Sequence, residues 1–444
     1  MSIVHVDFTE FQKNHEIYTR QCRQTGDFLQ LDYPGEGLSM YVVADHAGAN
    51  EVLRNEQGNF VHFADYFASI EKKTDADKRI GKIFSTNLGN NSGLNIELRK
   101  DIRNHFNGSG VDQHIDYIRQ CVAELTEHLK SVGAANDGIV DMMKDFAMPL
   151  TFLVTSHIIG LEFDSEEDKM LRIQQAAEAI RLINLIAPEE DKLAALDAHD
   201  KLSEYILPQL EKFCNDDGNL RKDCLFHDFA AKINAGENDK LDSFIELVSG
   251  LFQAGLGATG SFFALCLQLV LTGDDKNKPA DIQAYYLSPE RTDEEKREAV
   301  GEYIRVSQKK LGGIFPRYSK VGGTLKGQAI NENSLIYMSL VSANMDENAF
   351  HNAETINPDR VKTPKDLSKE QLKERKEKRL EKSLSFSYGE HMCPGRRIAL
   401  TIIRYAMDEL FEKFPNMASE EINVISEIFG KPSEVTSFLV RLNN

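Results

Sequence analysis

Residues 386–400 read Phe-Ser-Tyr-Gly-Glu-His-Met-Cys-Pro-Gly-Arg-Arg-Ile-Ala-Leu, with Cys393 held between Gly389 and Gly395. A thiolate is a strong ligand for a metal, but a free cysteine is mostly protonated at neutral pH, so its anion needs stabilisation. The two glycines let the backbone turn and aim N–H groups at the sulfur. Pro394 suits the first turn of a helix, where a missing N–H costs nothing. Residues 396–414, RRIALTIIRYAMDELFEKF, have the apolar spacing of that helix. Its N-terminus adds a positive dipole beside Cys393. In this setting Cys393 reads as a ligand-grade thiolate.

Outward from this segment most of the chain reads as helix. Residues 111–130 place Ile115, Ile118, Val122, Leu125 and Leu129 at helical spacing, and 173–186 and 192–213 behave similarly. Strand signals are few. They cluster at 29–31, at 40–43 and after Pro316, where GTLKGQAINENSLIYMSLVSAN alternates and turns. No fixed-period repeat and no Gly/Ser linker interrupts the pattern. The expected fold class is mainly α with small β-sheets, as one large domain over residues 1–444.

Residues 251–271, LFQAGLGATGSFFALCLQLVL, are apolar nearly all round and should form a central buried helix. Gly250, Gly255, Gly257 and Gly260 crowd its first half. Each costs a helix interior about 1 kcal/mol relative to Ala, so close approach of a flat ligand to the backbone is a fitting reason for them.

The net charge of −18 argues against non-specific attraction to nucleic acid or anionic membranes. The N-terminus has no apolar h-region, and no run of about 18 uninterrupted apolar residues occurs, so a cytoplasmic protein without a transmembrane anchor is expected. Cys22, Cys121, Cys214, Cys224 and Cys266 are scattered without CxxC spacing and read as small apolar core residues.

The segment around Cys393 resembles the haem-binding signature of the cytochromes P-450, with Phe386, Gly389, His391, Cys393, Gly395, Ile398 and Ala399 in the matching positions. Further blocks follow in that family's order. Glu302-Tyr-Ile-Arg305 resembles its Glu-x-x-Arg motif, completed by Arg360 in Asn357-Pro-Asp-Arg360; Arg317 and Gly327 fall between, and 342–346 resembles its Ala-x-x-Asp stretch. The resemblance implies a fold built around one buried haem b, with Cys393 as the axial iron ligand. It implies structural roles for Glu302, Arg305 and Arg360, and haem-propionate donors at Arg317, His391 and Arg99. Asn95 stands where the family has a histidine. On the central helix, Ala254 and Gly255 would lie against the haem.

The chain departs from the family at the central helix. Aligning on Ala254-Gly255 puts Gly257 at the position of the catalytic acid and Ala258 at that of the alcohol. Thr259 follows one residue later, about 100° away on a regular helix. Losing general-acid delivery typically costs about 10²–10⁴ in rate unless something replaces it. Three readings stay open. One is a monooxygenase using O₂ and external electrons, with substrate or water supplying protons. The second is a peroxide-driven peroxygenase. The third is haem-thiolate chemistry without external oxygen, or haem binding without turnover.

The resemblance places Phe252, Leu256, Ile314, Phe315 and Phe429 on the substrate pocket, with Gln253, Ala258 and Thr259 beside them. Residues 60–84 and the helices around 181–207 would form a lid. Such a pocket suits an apolar small molecule. Electrons would come from a separate ferredoxin or flavodoxin docking near Arg99, Lys100, Arg103, Arg396 and Arg397. The charged surface insertion at 360–385, with its basic-rich run 362–382, would lie on the same side.

Overall fold

The alternating stretches at the N-terminus and after Pro316 meet in one five-stranded sheet, ordered Ile3–Asp7, Phe28–Asp32, Ser39–Val43, Ser334–Met338, Phe315–Ser319. Ile3–Asp7 pairs parallel with Phe28–Asp32 and Ser39–Val43 parallel with Ser334–Met338; the other two pairings are antiparallel. The two inner strands that join the halves, SMYVV and SLIYM, are buried along almost their whole length, which is why they read as near-continuous apolar runs. Strand Ile3–Asp7 was not apparent in the sequence. It is an edge strand whose residues are mostly exposed, so no buried face imprints a pattern on it.

This computed structural model describes residues 2–443 apart from 34–36, 56–57, 63, 70–73, 90–92, 185, 217, 312–314, 362–382 and 427–432. The basic-rich run 362–382, most of the expected surface insertion, therefore lies outside the described residues. The chain divides into two compact units and passes back and forth between them. The first holds residues 1–61, 265–393 and 424–428; the second holds 62–264, 394–423 and 429–444.

In the first unit the sheet packs on helix His46–Arg54, through Phe28, Tyr41, Val52, Ile336 and Met338. Asp45 caps that helix by accepting from Gly48 N–H, and Lys326 pairs with the same carboxylate at 2.8 Å. The second unit is mainly helical, with Ile139–Asp141 paired antiparallel to Glu434–Arg441 in a small sheet. Its main helices are Ile115–Ala135, Met148–Ile159, Glu166–Ala179, Glu189–Cys214, Leu225–Asn234 and Arg396–Lys413. Phe152, Phe226, Phe229, Phe244 and Phe252 fill its core, with Phe229 and Phe244 stacked at 4.3 Å.

The central helix runs further than its glycine-rich half indicates, from Leu241 to Thr272 without a break. The stretch Asn238–Thr272 is long and apolar enough to cross a membrane by length and composition, but more than half of its apolar window is buried inside the protein. Its apolarity is that of a core helix.

Candidate functional site

In the first unit the segment before Cys393 is a closed loop. Cys393 N–H donates to the Phe386 carbonyl at 2.9 Å, Ser387 N–H to Leu384 at 2.9 Å and Met392 N–H to Gly389 at 3.2 Å. Gly389 is in the left-handed region, at φ 76°, and a Cβ there would lie 2.5 Å from the Leu53 carbonyl oxygen. Only glycine fits that turn. The N–H of Cys393 itself is thus committed to Phe386 rather than to the sulfur. The following helix starts at Arg396 with Gly395 as its N-cap, so Pro394 precedes the cap instead of occupying the first turn.

Cys393 is partly exposed. Burial pushes the thiols of the other cysteines up, Cys22 to about 12 and Cys121 to about 11, with Cys214, Cys224 and Cys266 raised as well. A thiol so desolvated is a poor source of thiolate.

Behind the loop lies a buried ion network. Arg305, fully buried, makes a bidentate pair with Glu302 at 2.8 Å for both bonds, the strong planar geometry of guanidinium on carboxylate. Arg360 reaches the same carboxylate at 3.3 Å, and Asn357 N–H donates to it at 3.0 Å. Arg305 also donates to the carbonyls of Asn344 and Ala353, at 2.7 and 2.6 Å. Asn344 passes the connection on. Its Oδ1 accepts from Leu384 N–H at 2.7 Å and its Nδ2 donates to Ser385 Oγ at 3.1 Å, at the foot of the Cys393 loop. Nothing in the sequence pointed to this bridging role, because a carboxamide in an irregular segment carries no pattern.

Arg317, on strand Phe315–Ser319, supplies the test of the expected cofactor. It is buried, and burial pulls its pKa down to about 10. The only hydrogen bond of its guanidinium among the described residues is from Nη1 to the Pro316 carbonyl at 2.9 Å. A buried guanidinium without a carboxylate is costly. A propionate of haem is the partner such a group requires, so the residues fit.

In the second unit, helix Gly93–Asp101 holds the other expected propionate donor. Arg99 Nε donates to Asn95 Oδ1 at 2.8 Å, and Asn95, fully buried, donates from Nδ2 to the Leu88 carbonyl at 2.6 Å. Asn95 thus orients Arg99.

The glycines of the central helix separate into two sets. A Cβ on Gly255 would lie 2.9 Å from Thr155 Oγ1, and one on Gly260 would lie 3.3 Å from Met148 Sδ, so these two let helix Met148–Ile159 and the turn before it approach closely. That differs from the expected cofactor contact for Gly255. Gly250 and Gly257 have no neighbour within 4 Å of a Cβ position, and Ala254 and Ala258 are exposed. Positions 250, 254, 257 and 258 share one helix face. This smooth face is where a flat ring can approach the backbone. Thr259 is buried, because the helix stays regular and turns it off that face.

The expected pocket residues divide as well. Phe252 and Leu256 are core residues, Phe252 meeting Phe152 edge-on at 5.6 Å, so they face neighbouring helices rather than substrate. Their i,i+4 spacing puts both on the packed stripe. Phe315 is half-exposed. Ile314 and Phe429 lie outside the described residues. Among the lid elements, helix Asp75–Ser85 is fastened to helix Glu189–Cys214 by Thr74–Glu189 at 3.0 Å, Asp77–Lys192 at 2.9 Å and an Arg79–Asp200 ion pair. Phe60, by contrast, is core in the first unit.

The cytochrome P450 family model matches residues 309–430, which include Arg317, Arg360 and the Cys393 loop. The chain is 25% identical over 345 residues to cytochrome P-450 119 of Sulfurisphaera tokodaii, covering 76% of this chain and 78% of that one. It is also 25% identical over 360 residues to cytochrome P-450 107B1 of Saccharopolyspora erythraea, covering 78% and 75%. The fold matches the crystal structure of P-450 BioI in complex with a fatty-acyl carrier protein at TM-score 0.75 and 16% identity, over 98% of this chain and all of that one. It matches the Bacillus subtilis bacillaene synthase P-450 PksS at TM-score 0.73 and 18% identity, over 98% of each. With the closed cysteine loop and the buried Glu302–Arg305–Arg360 network, these likenesses place the chain among the bacterial-type cytochromes P-450, the oxidoreductases that bind haem b through a cysteine thiolate and act as monooxygenases.

Proposed function

We propose that Cys393 is the axial ligand and that the protein oxidises an apolar small molecule, using O₂ and electrons from a separate ferredoxin or flavodoxin. The carrying observation is the Cys393 loop, closed on Phe386 and footed by Asn344 on the buried ion network. Arg317, His391 and Arg99 would hold the propionates, with Asn95 orienting Arg99. Haem bound there supplies the redox-active iron through which one oxygen atom enters the substrate, and a thiolate ligand favours O–O cleavage. The rest of the chemistry belongs to the chain. The Gly250–Ala254–Gly257–Ala258 face keeps the approach to the backbone open, and the fastened lid helices would exclude water. The balance is RH + O₂ + 2 e⁻ + 2 H⁺ giving ROH + H₂O. The exposed Lys100, Arg103 and Arg396 support docking of an acidic electron donor, mainly by raising the encounter rate. The chain is read as one catalytic domain acting in the cytoplasm.

One observation favours a second reading. Neither Gly257 nor Ala258 can carry a proton, and Thr259 is turned to the buried side. A peroxygenase, RH + H₂O₂ giving ROH + H₂O, needs no protons from solvent. The experiment compares product from an apolar substrate panel with a ferredoxin, its reductase and O₂ against product with hydrogen peroxide alone. It is repeated on Gly257→Asp/Ala258→Thr. Product through the ferredoxin route, rising in the double variant, supports the monooxygenase. Product with peroxide alone shifts the assignment to the peroxygenase. No product by either route leaves a haem-binding protein without turnover and overturns both.

A further inference from the structure

The second unit gathers three histidines and two aspartates that the oxidation chemistry does not use. His105 lies on helix Arg103–Phe106, His114 just before helix Ile115–Ala135, and His157 on helix Met148–Ile159. Asp223 precedes helix Leu225–Asn234 and Asp228 lies on it.

Asp228 fixes the tautomer of His105. Its carboxyl is held low by the hydrogen bond from His105, so it is an acceptor, and His105 Nε2, 3.3 Å away, carries the hydrogen. His105 Nδ1 therefore offers one lone pair, with His114 Nε2 3.3 Å and the Gln113 amide nitrogen 3.1 Å away. The same amide nitrogen lies 3.3 Å from His114 Nε2. His114 Nδ1, on a fully buried ring, has no hydrogen-bond partner among the described residues.

His157 is unsatisfied in a different way. Its two ring nitrogens each lie 2.8 Å from a guanidinium nitrogen of Arg221. A neutral imidazole has one acceptor nitrogen, so one of these contacts sets N–H against N–H. Burial keeps both rings neutral, lowering His114 to about 3 and His157 to about 4. Ligand atoms of His114, His157 and Asp223 all lie within 4.8 Å of one another.

The structure assigns to His114, His157 and Asp223 a site for a borderline divalent cation such as Zn²⁺, with the Asp228–His105 pair behind His114. Two imidazole nitrogens and one carboxylate oxygen suit zinc and not calcium or magnesium, which take oxygen ligands. A ligating histidine usually passes its other ring N–H to a carboxylate, carbonyl or water; here the far nitrogen of His114 meets His105, which Asp228 holds. Arg221 is the competing cation. Its side chain is 30% exposed and that of Asp223 48%, so the segment that supplies both has room to turn the guanidinium outward as the metal enters. The bound ion would staple that segment to the two helices and raise stability by mass action.

The test uses full-length haem-loaded protein freed of metal by chelator, titrated with ZnCl₂ by calorimetry, with zinc retained after gel filtration and the melting temperature as further readouts. One zinc per chain is expected, with a higher melting temperature. Asp223→Asn, on a half-exposed side chain, abolishes the tight site, and His157→Gln does the same. Asp228→Asn weakens it roughly 10–100-fold, the usual effect of losing an outer-shell partner. Arg221→Ala tightens it. Absence of zinc binding in both the wild type and Arg221→Ala overturns the assignment. So does zinc binding that Asp223→Asn and His157→Gln leave unchanged.

Discussion

Asn344 is the joint between the ion network and the cysteine loop, and replacing it tests whether that joint matters. The residue is fully buried, and Leu384, whose N–H it receives at 2.7 Å, is 1% exposed. Asn344→Ala removes that bond and the one to Ser385 Oγ. Each hydrogen bond contributes about 0.5–1.5 kcal/mol, and a buried N–H left unpaired costs about 1–3 kcal/mol. The unpaired Leu384 N–H and the lost Ser385 bond together take about 1.5–4.5 kcal/mol from the closed loop, or roughly 10- to 1,600-fold in the closed–open equilibrium. Ser385→Ala keeps the Leu384 bond and removes the contacts of its hydroxyl to Asn344 and to Ser383 Oγ at 2.7 Å, at about 0.5–1.5 kcal/mol each. The assay is the rate of haem transfer to an excess of apomyoglobin, followed by absorbance, with thermal unfolding alongside. Haem should leave Asn344→Ala much faster than wild type, with Ser385→Ala between them. Wild-type transfer and melting in Asn344→Ala would refute the joint.

Other consequences are equally direct. Gly389→Ala forces a Cβ to within 2.5 Å of the Leu53 carbonyl in a left-handed turn, at a cost of about 1–3 kcal/mol in backbone strain plus the clash; haem content after purification should fall. Gly255→Ala gains about 1 kcal/mol of helix propensity but meets Thr155 Oγ1 at 2.9 Å, so it should destabilise alone and become stabilising with Thr155→Ala, as read by the melting temperatures of the double-mutant cycle. Burial by itself would raise the Asp77 carboxyl, yet the Lys192 hydrogen bond and charge hold it below the usual aspartate value of 3.8. A carboxyl depressed in the folded state contributes stability above its unfolded pKa, and that contribution is lost as pH falls through the folded one. Circular dichroism should therefore show a shallower acid transition below about pH 4 for Asp77→Asn than for wild type.

How much of this was legible in the sequence depended on whether local chemistry or long-range packing set each residue's role. The Cys393 loop was legible because Gly389 must make a left-handed turn, a local constraint; the Leu53 carbonyl that also excludes a Cβ there, and the place of Pro394 before the helix cap, were not. Glu302, Arg305 and Arg360 were found by resemblance, since Glu-x-x-Arg alone is an ordinary helix pair; its burial against distant carbonyls is what distinguishes it. The central helix was read as glycine-rich for a ligand, but Gly255 and Gly260 answer to helix Met148–Ile159. Apolar character likewise could not separate Phe252 and Leu256, which face the core, from residues facing a pocket. Asn344 and the His105–His114–His157 cluster were invisible, because polar contacts that join separate elements leave no periodic pattern in the sequence.

The most direct measurement is the absorption spectrum of the dithionite-reduced protein under carbon monoxide, for wild type and Cys393→Ala. A strongly red-shifted Soret band that disappears in Cys393→Ala, with haem still bound, is the result expected of a thiolate on the iron. A wild-type band without that shift, or a shifted band that survives in Cys393→Ala, would contradict the assignment of Cys393 and the account built on it.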